Sequence, residues 1–318
     1  MSLEVLAPGL LSTVQDTGRD GVRALGVSTG GAVDRYACEV ANRLVGNPAG
    51  AAVLEFTMHG PVLRLGRAAR VAVCGATIDA TADGEALPGW RPALLPAGTE
   101  LAFGACRAGM RAYLAIDGGI DVPSVLGSRA TDLRGGFGGH DGRALRTGDV
   151  LPLARSLTAP HAGIRIARWW IDAQPDLDFS DDILVRTLRG SDATAPSDAL
   201  WRQAFQVDAA SNRQGLRLRG DALCSDDGRE RVSEPVVPGT IQLPPDGQPI
   251  VLLADAQTVG GYPRIGHVIA ADMSLLAQRR AGQRLRFRPV DRGEAMRALR
   301  EQRARLARIG CAIAGKPI

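Results

Sequence analysis

The segment PIVLLADAQTVGGYPRIG (residues 249–266) changes character half-way along its length. Its first part is an apolar run of the kind that forms a buried strand. The run ends in the polar residues Asp255, Gln257 and Thr258, and the sequence Gly-Gly-Tyr-Pro follows. Glycine permits close backbone approach, and proline stiffens the exit from a turn. We interpret the segment as a strand that delivers polar side chains to a glycine-rich loop.

A segment in the first half of the chain repeats this order. Residues 111–151 run from the apolar sequence RAYLAI through a glycine-rich loop to a closing strand. Within them, the Gly-Gly-Phe of residues 135–137 aligns with the Gly-Gly-Tyr of residues 260–262, and LRTGDVL aligns with RRAGQRL. We therefore predict a duplicated β-rich unit, with domains at residues 1–157 and 158–318. Two such domains packed together would form a cleft lined by equivalent loops.

Short apolar runs rich in Val, Ile and Leu dominate the rest of the chain, and turn residues bound them. This pattern is typical of β-sandwiches and β-barrels. Helical periodicity is confined to residues 32–46, 272–282 and 293–310, with Asp272 as a candidate N-cap of the second helix. We predict a mainly β chain with a few short helices.

The composition excludes several classes of protein. No apolar run of this 318-residue chain reaches the roughly 18 residues that cross a bilayer. The N-terminal sequence lacks the basic start and small-residue cleavage site of a signal peptide. The five cysteines are scattered and form no C-x-x-C pair, which indicates reduced thiols and argues against a His/Cys zinc site. We expect a cytoplasmic protein that does not enter a membrane.

The charged residues exclude further chemistry. The formal net charge is +4, but basic and acidic residues interleave along the chain, which does not indicate a nucleic-acid interface. Lys316 is the only lysine. A Walker-A loop requires the sequence G-K-[ST], so none can form, and an internal Schiff-base lysine is excluded as well.

Residues 14–34 form the first candidate site. Spaced glycines lead into the predicted first helix, and the free N–H groups of a helix N-terminus suit an anion. The alternative is a tight loop in which acidic and basic side chains satisfy one another. The candidate anion-binding residues here are Gln15, Asp16, Arg19 and Asp34.

The loop at residues 126–143 forms the second candidate site. Arginine forks and a carboxylate on a flexible, glycine-rich backbone could hold a carboxylate or phosphate group, with Asp132 assisting a metal ion or a proton. The alternative is an exposed connection, although ordering such a loop costs conformational entropy. The candidates in this loop are Ser128, Arg129, Thr131 and Asp132.

The third candidate site combines the opening segment with an Asn-Arg turn in residues 209–220. Structural roles for that turn and for Gln242, near a Pro-Asp-Gly turn, are the alternative. Across the chain, the candidate catalytic residues are Asp255, Asp132 and Gln257. The binding candidates of this third site are Arg213, Thr258, Gly260, Gly261 and Tyr262. No set of metal ligands is assigned.

Four motifs occur along the chain in a fixed order and together resemble one family. They read VQDTGRDGVRALGVSTGGAVDRYACEVANRLVGNPAGAAVLE (14–55), LGSRATDLRGGFGGHDGRALRTGDVL (126–151), SEPVVPGTIQLPPDGQPIVLLADAQTVGGYPRIG (233–266) and SLLAQRRAGQRLRF (274–287). The chain resembles the family that contains the C subunit of 5-oxoprolinase, also labelled allophanate hydrolase subunit 2 or biotin-dependent carboxyltransferase-like. The resemblance extends from Leu10 to Val290.

This resemblance implies two tandem cyclophilin-like β-barrel domains. It implies a homologous partner, the B subunit, together with the A subunit of 5-oxoprolinase. The implied reaction is the ATP-dependent opening of 5-oxo-L-proline to L-glutamate. Arginines would bind the substrate carboxylate and the phosphates, and an aspartate could hold Mg²⁺. Because the chain lacks a Walker-A loop, ATP would be bound unconventionally, shared with the B subunit, or bound there.

The chain departs from the family pattern within three motifs. The usual SGAMD has Gly30 in place of serine, and the usual SDRMG has Asn212 in place of aspartate. The ADRQTTGGYP pattern has Ala256 in place of arginine. The last two changes each remove a charge, which bears on substrate identity more than on the fold.

Two other functions remain open. One is a carboxyltransferase-type subunit that accepts a carboxyl group from carboxybiotin on another chain. The other is a regulatory protein that antagonises a kinase-inhibiting partner. On the leading hypothesis, Asp255→Ala and Arg129→Ala should abolish turnover without unfolding the protein.

Overall fold

The computed structural model describes residues 2–154, 159, 161–172, 177–194, 196–224 and 232–316. The chain divides into two compact units. Unit 1 comprises Met1–Arg19, Gly30–Pro175 and Leu306–Ile318, and unit 2 comprises Asp20–Thr29 and Asp176–Arg305. The predicted division between residues 157 and 158 lies outside the described residues, and it stays a prediction.

Unit 1 is built on a ten-stranded sheet whose strands run antiparallel. The sheet path is β10-β7-β5-β8-β4-β1-β9, with β2, β3 and β6 attached beside it. The strands are β1 (Ser2–Ala7), β2 (Ser12–Gln15), β3 (Val53–Thr57), β4 (Val62–Leu65), β5 (Ala69–Ala82), β6 (Glu85–Ala86), β7 (Pro92–Leu95), β8 (Glu100–Ile116), β9 (Val150–Pro152) and β10 (Arg165–Ile166).

The long strands β5 and β8 form the centre of this sheet, and β8 also pairs with β3 and β4. The β5–β8 register shifts three times beyond Gly75. Gly75 has a φ of +97°, and a Cβ there would collide with the carbonyl oxygen of Arg111. Only glycine fits this position, because L side chains rarely adopt that φ and the partner strand leaves no room.

The helix α1 (Arg35–Val45) covers part of this sheet, within the predicted range 32–46. It begins at Asp34, whose side chain accepts a hydrogen bond from the Ala37 N–H at 3.0 Å, and it ends at Gly46 with a φ of +83°. These are the N-cap and glycine stop that helix termini favour. Its buried side includes Tyr36, Val40 and Leu44, as the sequence periodicity predicted.

Unit 2 contains a closed barrel of seven strands in the order β11-β18-β15-β16-β13-β12-β19. Strands β14 and β17 pair separately. The strands of this unit are β11 (Asp182–Arg189), β12 (Ala204–Val207), β13 (Gly215–Arg219), β14 (Glu234–Pro235), β15 (Thr240–Gln242), β16 (Ile250–Leu252), β17 (Val259–Gly260), β18 (Arg264–Val268) and β19 (Arg284–Pro289). The predictions of a mainly β chain, a β-barrel and few helices are confirmed.

Alternation of apolar and polar residues explains how the barrel fills. On β11, Ile183 and Val185 are buried while the residues between and beside them face out. Phe205 and Phe287 from neighbouring strands are buried, with ring centroids 6.0 Å apart. The parallel pairing of β19 with β11 closes the barrel, so neither strand is left as an unpaired edge.

The predicted helix at 272–282 is shorter than expected. A 3₁₀ turn at Ala270–Asp272 leads into α2 (Met273–Ala277). Asp272 occupies the predicted N-cap position of α2, although its side chain forms no capping hydrogen bond. Its carboxylate instead accepts hydrogen bonds from the Arg186 guanidinium at 2.6 and 3.1 Å.

The third helix, α3 (Arg292–Ile313), agrees with the predicted basic helix. Residues up to Arg305 belong to unit 2 and those from Leu306 to unit 1. All five cysteines are free. In the part of the chain that the structure describes, no helix has both the length and the apolar character needed to cross a membrane.

An ion pair in unit 1 makes stability depend on acidic pH. Arg143 donates to both carboxylate oxygens of Asp149, at 2.7 and 2.9 Å, and the Arg146 N–H adds a third bond at 2.8 Å. The hydrogen bonds from Arg143 are the main reason that the pKa of Asp149 is held down at about 2. In an unfolded chain the pKa of an aspartate is about 3.9.

We expect Asp149→Asn to lower the free energy of unfolding by about 2 kcal/mol at neutral pH. Because the folded-state pKa is the lower one, the contribution is complete above about pH 4 and disappears as pH falls towards about 2. Urea unfolding of the wild type and the variant across this range measures the difference. A difference that stays constant down to the acid limit would contradict the assignment.

Candidate functional site

The candidate residues of the first two sites, within residues 14–34 and 126–143, lie in unit 1, and we call them together the unit 1 loop site. The carboxylate of Asp16 holds this site together. Its Oδ1 accepts hydrogen bonds from the Gly18 N–H at 2.8 Å and from the Ser128 hydroxyl at 2.6 Å. Its Oδ2 accepts the Arg129 N–H at 2.6 Å. Three of the predicted site residues, Asp16, Ser128 and Arg129, therefore meet. Their hydrogen bonds connect two loops that are distant along the chain. The Asp16 carboxylate is satisfied by donors of the protein itself.

Arg19 lies fully buried in the same loop site. Its guanidinium donates to the carbonyl oxygens of Val125 and Ala130 and stacks 4.7 Å from the ring centroid of Phe137. Gly138 passes so close that a Cβ there would collide with the Arg19 Nη2. Gly138 thus leaves room for the Arg19 side chain, which binds the carbonyl groups of Val125 and Ala130.

Gln15 and Thr131 form a second contact between the same segments. The Thr131 hydroxyl donates to the Val14 carbonyl at 2.9 Å, and the Gln15 Nε2 donates to Thr13 Oγ1 at 3.0 Å and to the Thr131 carbonyl at 3.3 Å. Both Gln15 and Thr131 are fully buried. They hold the loop and are not open to a ligand at the surface.

Asp132 and Arg129 are the remaining candidates of this loop. The Asp132 Oδ1 accepts the N–H groups of Arg134 at 3.1 Å and Gly135 at 2.8 Å. The Arg129 side chain is 42% exposed and pairs with Asp121 at 2.9 Å. Among the candidates of this loop, Arg129 is the one whose charged group reaches solvent.

A buried polar network that sequence reasoning missed lies beneath α1. The Tyr113 hydroxyl donates to Glu55 Oε2 at 2.8 Å and accepts the Asp34 N–H at 2.8 Å, while the Val33 N–H donates to the same Glu55 oxygen at 3.1 Å. Glu55, Tyr113 and Asp34 are all buried. The signal in the sequence was a glutamate in the apolar run AVLEF.

Titration in this network is suppressed by the surroundings. Burial, followed by the charges of Glu55 and Asp34, raises the pKa of Tyr113 well above its ordinary value. Burial likewise raises the pKa of the Cys38 thiol, with Glu55 adding to the effect. Cys38 is therefore a neutral thiol at physiological pH and not a nucleophile. The hydrogen bonds of the network position the start of α1.

The third candidate site, formed by residues 249–266 and the Asn-Arg turn of residues 209–220, lies in unit 2, and we call it the unit 2 loop site. It is built around a buried ion pair between Arg213 and Asp255. The Arg213 Nε lies 2.8 Å from Asp255 Oδ2, and its Nη2 lies 3.0 Å from Oδ1. Their side chains are only 5% and 10% exposed. The pair is bidentate, the strongest geometry for an arginine and a carboxylate. It joins the Asn-Arg turn to the end of the opening segment, and both oxygens of Asp255 are engaged.

Gln257 and Gln242 form an amide pair next to Gly260. The Gln257 Nε2 donates to Gln242 Oε1 at 3.1 Å. Within the described residues, the buried Nε2 of Gln242 has no hydrogen-bond partner. A Cβ on Gly260 would lie 2.6 Å from that nitrogen. A side chain at residue 260 would therefore force the Gln242 amide to move.

Arg23 belongs to unit 2 and binds the backbone of two segments, at Val236 and at Gln257, the residue after Ala256. Its guanidinium donates to the carbonyl oxygens of Val236 and Gln257 and to the Thr29 hydroxyl. Burial lowers the pKa of Arg23. Ala256, where the family pattern has arginine, is itself fully buried and packs against Val236 and Leu252. A guanidinium is therefore present at this turn although residue 256 does not supply it.

Tyr262 is the most accessible predicted residue of the unit 2 loop site. Its side chain is 47% exposed, and it lines a cavity of about 420 Å³ together with Arg217 and Arg219. Thr258, by contrast, contributes its carbonyl to the Val236 N–H at 3.0 Å. Gly261 is partly buried between Gly260 and Tyr262.

The described residues do not provide a ready-made Mg²⁺ site. Nowhere in them do three or more His, Cys, Asp or Glu side chains converge in a way that could hold a metal ion. The carboxylates of Asp16 and Asp132 accept hydrogen bonds from the chain itself. We derive no chemical step through a metal ion on these residues.

The geometry of the Arg213–Asp255 pair argues against the expectation that Asp255→Ala leaves the fold intact. Removing one partner of a buried pair leaves the other charge uncompensated. We expect Asp255→Ala to lower the free energy of unfolding by about 3 to 5 kcal/mol. Chemical denaturation of the variant and the wild type measures this loss.

Asp182→Ala is the matched control for that variant. Asp182 pairs with Arg286 on the outside of the same barrel, at 3.4 Å, with side chains 41% and 55% exposed. We expect this loss to stay within about 1 kcal/mol, because exposed pairs contribute little. Equal effects of the two substitutions would show that burial does not decide the role of Asp255.

A second stability prediction concerns Gln242. Gln242→Met removes a buried donor that lacks a partner and gives up one hydrogen bond to Gln257. We expect the free energy of unfolding to stay within about 1 kcal/mol of the wild type or to rise. Thr131→Val removes a buried hydroxyl that is satisfied, and should cost about 1 kcal/mol or more. A larger loss for Gln242→Met than for Thr131→Val in denaturant titrations would contradict this interpretation.

Comparison with known proteins places this architecture in a family. Residues 25–289 match the carboxyltransferase domain, subdomain A and B. The 5-oxoprolinase C subunit of Escherichia coli K12 is 41% identical over 307 residues, which is 94% of this chain and 95% of that protein. The urea amidolyase of Lachancea kluyveri is 30% identical over 91% of this chain and 17% of that protein.

A solved structure agrees with the sequence relatives. The crystal structure of the K. lactis urea amidolyase superposes with a TM-score of 0.88 at 29% identity, covering 97% of this chain and 20% of that chain. The chain thus corresponds to a fraction of the multidomain relative and to almost the whole of the bacterial subunit. Because the domain match spans most of its length, the chain belongs to the carboxyltransferase domain family, subdomain A and B.

Proposed function

We propose that this chain is the C subunit of a 5-oxoprolinase and acts with the A and B subunits to open 5-oxo-L-proline to L-glutamate at the expense of ATP. The observation that carries the proposal is the end-to-end match with a bacterial 5-oxoprolinase C subunit, at 41% identity over 94% of this chain and 95% of that one. A second 5-oxoprolinase C subunit, from Haemophilus influenzae, covers 96% of this chain at 33% identity.

The chemistry explains why several groups must cooperate. A lactam is a poor electrophile, so water attacks it slowly unless its oxygen becomes part of a better leaving group. ATP would supply the phosphoryl group that achieves this. The work of the protein is then to hold the substrate carboxylate, to orient the lactam and to exclude water until the oxygen is activated.

Residues of this chain suit the holding and orienting roles. Arg129 presents a partly exposed guanidinium, and a substrate carboxylate would take the place of the exposed Asp121 carboxylate that pairs with it at 2.9 Å. Gln257 is partly exposed and carries an amide, whose donor and acceptor complement the N–H and C=O of a lactam. Asp255 is held by Arg213 in a fixed orientation, so its role is to shape the turn that carries Gln257.

A second candidate function is carboxyl transfer within a biotin-dependent system. The family to which the chain belongs is a carboxyltransferase domain, and a urea amidolyase structure shares its fold along 97% of this chain. Lys316 is the only lysine, so the biotin carrier would be on another chain. Biotin carboxylase among the neighbouring genes would favour this alternative, and a gene for the A subunit would favour 5-oxoprolinase.

Reconstitution tests the leading proposal. We expect this chain, purified together with candidate A and B subunits, to hydrolyse ATP in step with glutamate release from 5-oxoproline. Omission of the chain should remove the coupled activity. Undiminished turnover without it would refute the proposal. Carboxylation of urea by the chain together with a biotin carboxylase and its biotinylated carrier protein would establish the alternative.

The variant Arg129→Gln in the reconstituted complex tests whether Arg129 binds the substrate carboxylate. We expect the KM for 5-oxoproline to rise about tenfold or more, since a charge-assisted bond to the carboxylate is lost. Arg107→Gln is the matched control, because Arg107 is also an exposed arginine of unit 1 in an ion pair, here with Asp79 at 2.5 Å. A similar change of KM in both variants would count against a specific role for Arg129.

A further inference from the structure

We propose that the cavity of unit 2 binds a mononucleotide, with Tyr262 stacking on the base, Arg217 binding the phosphate and Asp246 accepting a ribose hydroxyl. This deepens the proposed function, because that function requires ATP and the chain has no Walker-A loop. It rests on the proposed function only for the identity of the nucleotide; the cavity and its chemistry stand by themselves.

The cavity lies outside the barrel, between β13 and the turn that connects β15 to β16. Its volume is about 420 Å³, within the range of roughly 300 to 1,000 Å³ that small-ligand sites occupy. Three kinds of surface meet there. They are a pair of arginines, an aromatic ring with several prolines, and a carboxylate.

Arg217 is the guanidinium available for a phosphate. Arg217 and Arg219 are both exposed, two residues apart on β13. Arg219 is engaged by the Asp208 carboxylate at 2.5 Å. Arg217 forms no hydrogen bond or ion pair through its side chain with another described residue, although it lies near enough for its charge to act on Asp208. A guanidinium without a bound carboxylate, set in a concave surface, suits a phosphate group.

Tyr262 provides a surface on which a flat ring can stack. Its side chain is 47% exposed, and Pro244, Pro245 and Pro249 line the same cavity. Rigid rings hold such a surface at little entropic cost, and every nucleobase has a face that stacks on an aromatic side chain. A simple inorganic anion would have no use for this apolar part of the cavity.

Asp246 and Gln248 complete the site. One Asp246 oxygen, Oδ1, accepts the Gln248 N–H at 3.0 Å, which leaves the second oxygen for a ligand hydroxyl. The Gln248 amide bonds both the N–H and the carbonyl of Gly220, at 3.0 and 3.2 Å. The wall that carries Asp246 is therefore fixed to β13 before any ligand arrives. A carboxylate beside arginines disfavours a bare phosphate but suits a ribose, whose hydroxyls are donors.

Calorimetric titration of the full chain with AMP, adenosine and inorganic phosphate tests the proposal. We expect AMP to bind more tightly than either part alone. Arg217→Gln should weaken AMP about tenfold and leave adenosine unchanged, because only the phosphate contact is lost. Tyr262→Leu should weaken AMP and adenosine alike, by about tenfold. ADP and ATP, with and without Mg²⁺, then show how many phosphates the site accepts.

Arg284→Gln is the matched control. Arg284 is an exposed arginine on β19 of the same barrel and does not line the cavity. Weakening of AMP by Arg284→Gln as large as by Arg217→Gln would mean that general charge attraction explains the binding. Absence of AMP, ADP and ATP binding would overturn the proposal outright, as would AMP binding that neither cavity variant changes. Thermal melts of each variant establish that it is folded.

The two proposals fail in different ways. If the reconstituted complex opens 5-oxoproline while the isolated chain and its Arg217→Gln variant behave identically towards nucleotides, the cavity assignment is wrong and the proposed function stands. If AMP binds in the pattern described but the complex does not act on 5-oxoproline, the cavity is a nucleotide site and the proposed reaction is wrong.

Discussion

The glycine-rich loops of both units are organised by charges that have been taken out of water. A buried charge without compensation is costly, so each must be met by an opposite charge or by hydrogen bonds. Asp16 collects three donors in unit 1, and Asp255 is met by Arg213 in unit 2. Segments rich in glycine have no apolar core of their own. These buried polar contacts therefore supply the order that side-chain packing gives elsewhere.

The need to compensate buried charges divides the candidate residues into two groups. Some stabilise the loops through internal contacts, and others keep a polar group that can contact a ligand. Arg19 was predicted to bind an anion because it lies among glycines. Its guanidinium instead donates hydrogen bonds to the carbonyl groups of Val125 and Ala130. At least Gly138 is explained by Arg19, since a Cβ at residue 138 would collide with the Arg19 Nη2. Side chains that keep an exposed polar group, such as Arg129 and Tyr262, are consequently the better candidates for contact with a substrate or partner.

Local features of the fold could be predicted from the sequence because local physics decides them. The start of α1 at Asp34 and its end at Gly46 follow from capping chemistry, and alternating apolar residues indicated the strands of the barrel. The N-cap position of Asp272 was predictable in the same way, but the partner of its carboxylate was not, because Arg186, which binds it, lies 86 residues away. The same limit hid Glu55 and Tyr113, whose pairing spans 58 residues.

Distance along the chain also explains why the sequence predicted the residues of the third candidate site but not their contacts. Its residue types were recognisable, but nothing in their order indicates that Asp255 is bound by Arg213 or that Gly260 lies against Gln242. The first contact makes Asp255, a candidate catalytic residue, part of a rigid turn, and Tyr262 stays exposed at the edge of that turn. A turn that is fixed by the Arg213–Asp255 pair and exposes the Tyr262 ring suits recognition of a ligand by shape and stacking. Under the proposed function, chemistry on a bound substrate would therefore depend on groups brought by the proposed partner subunits.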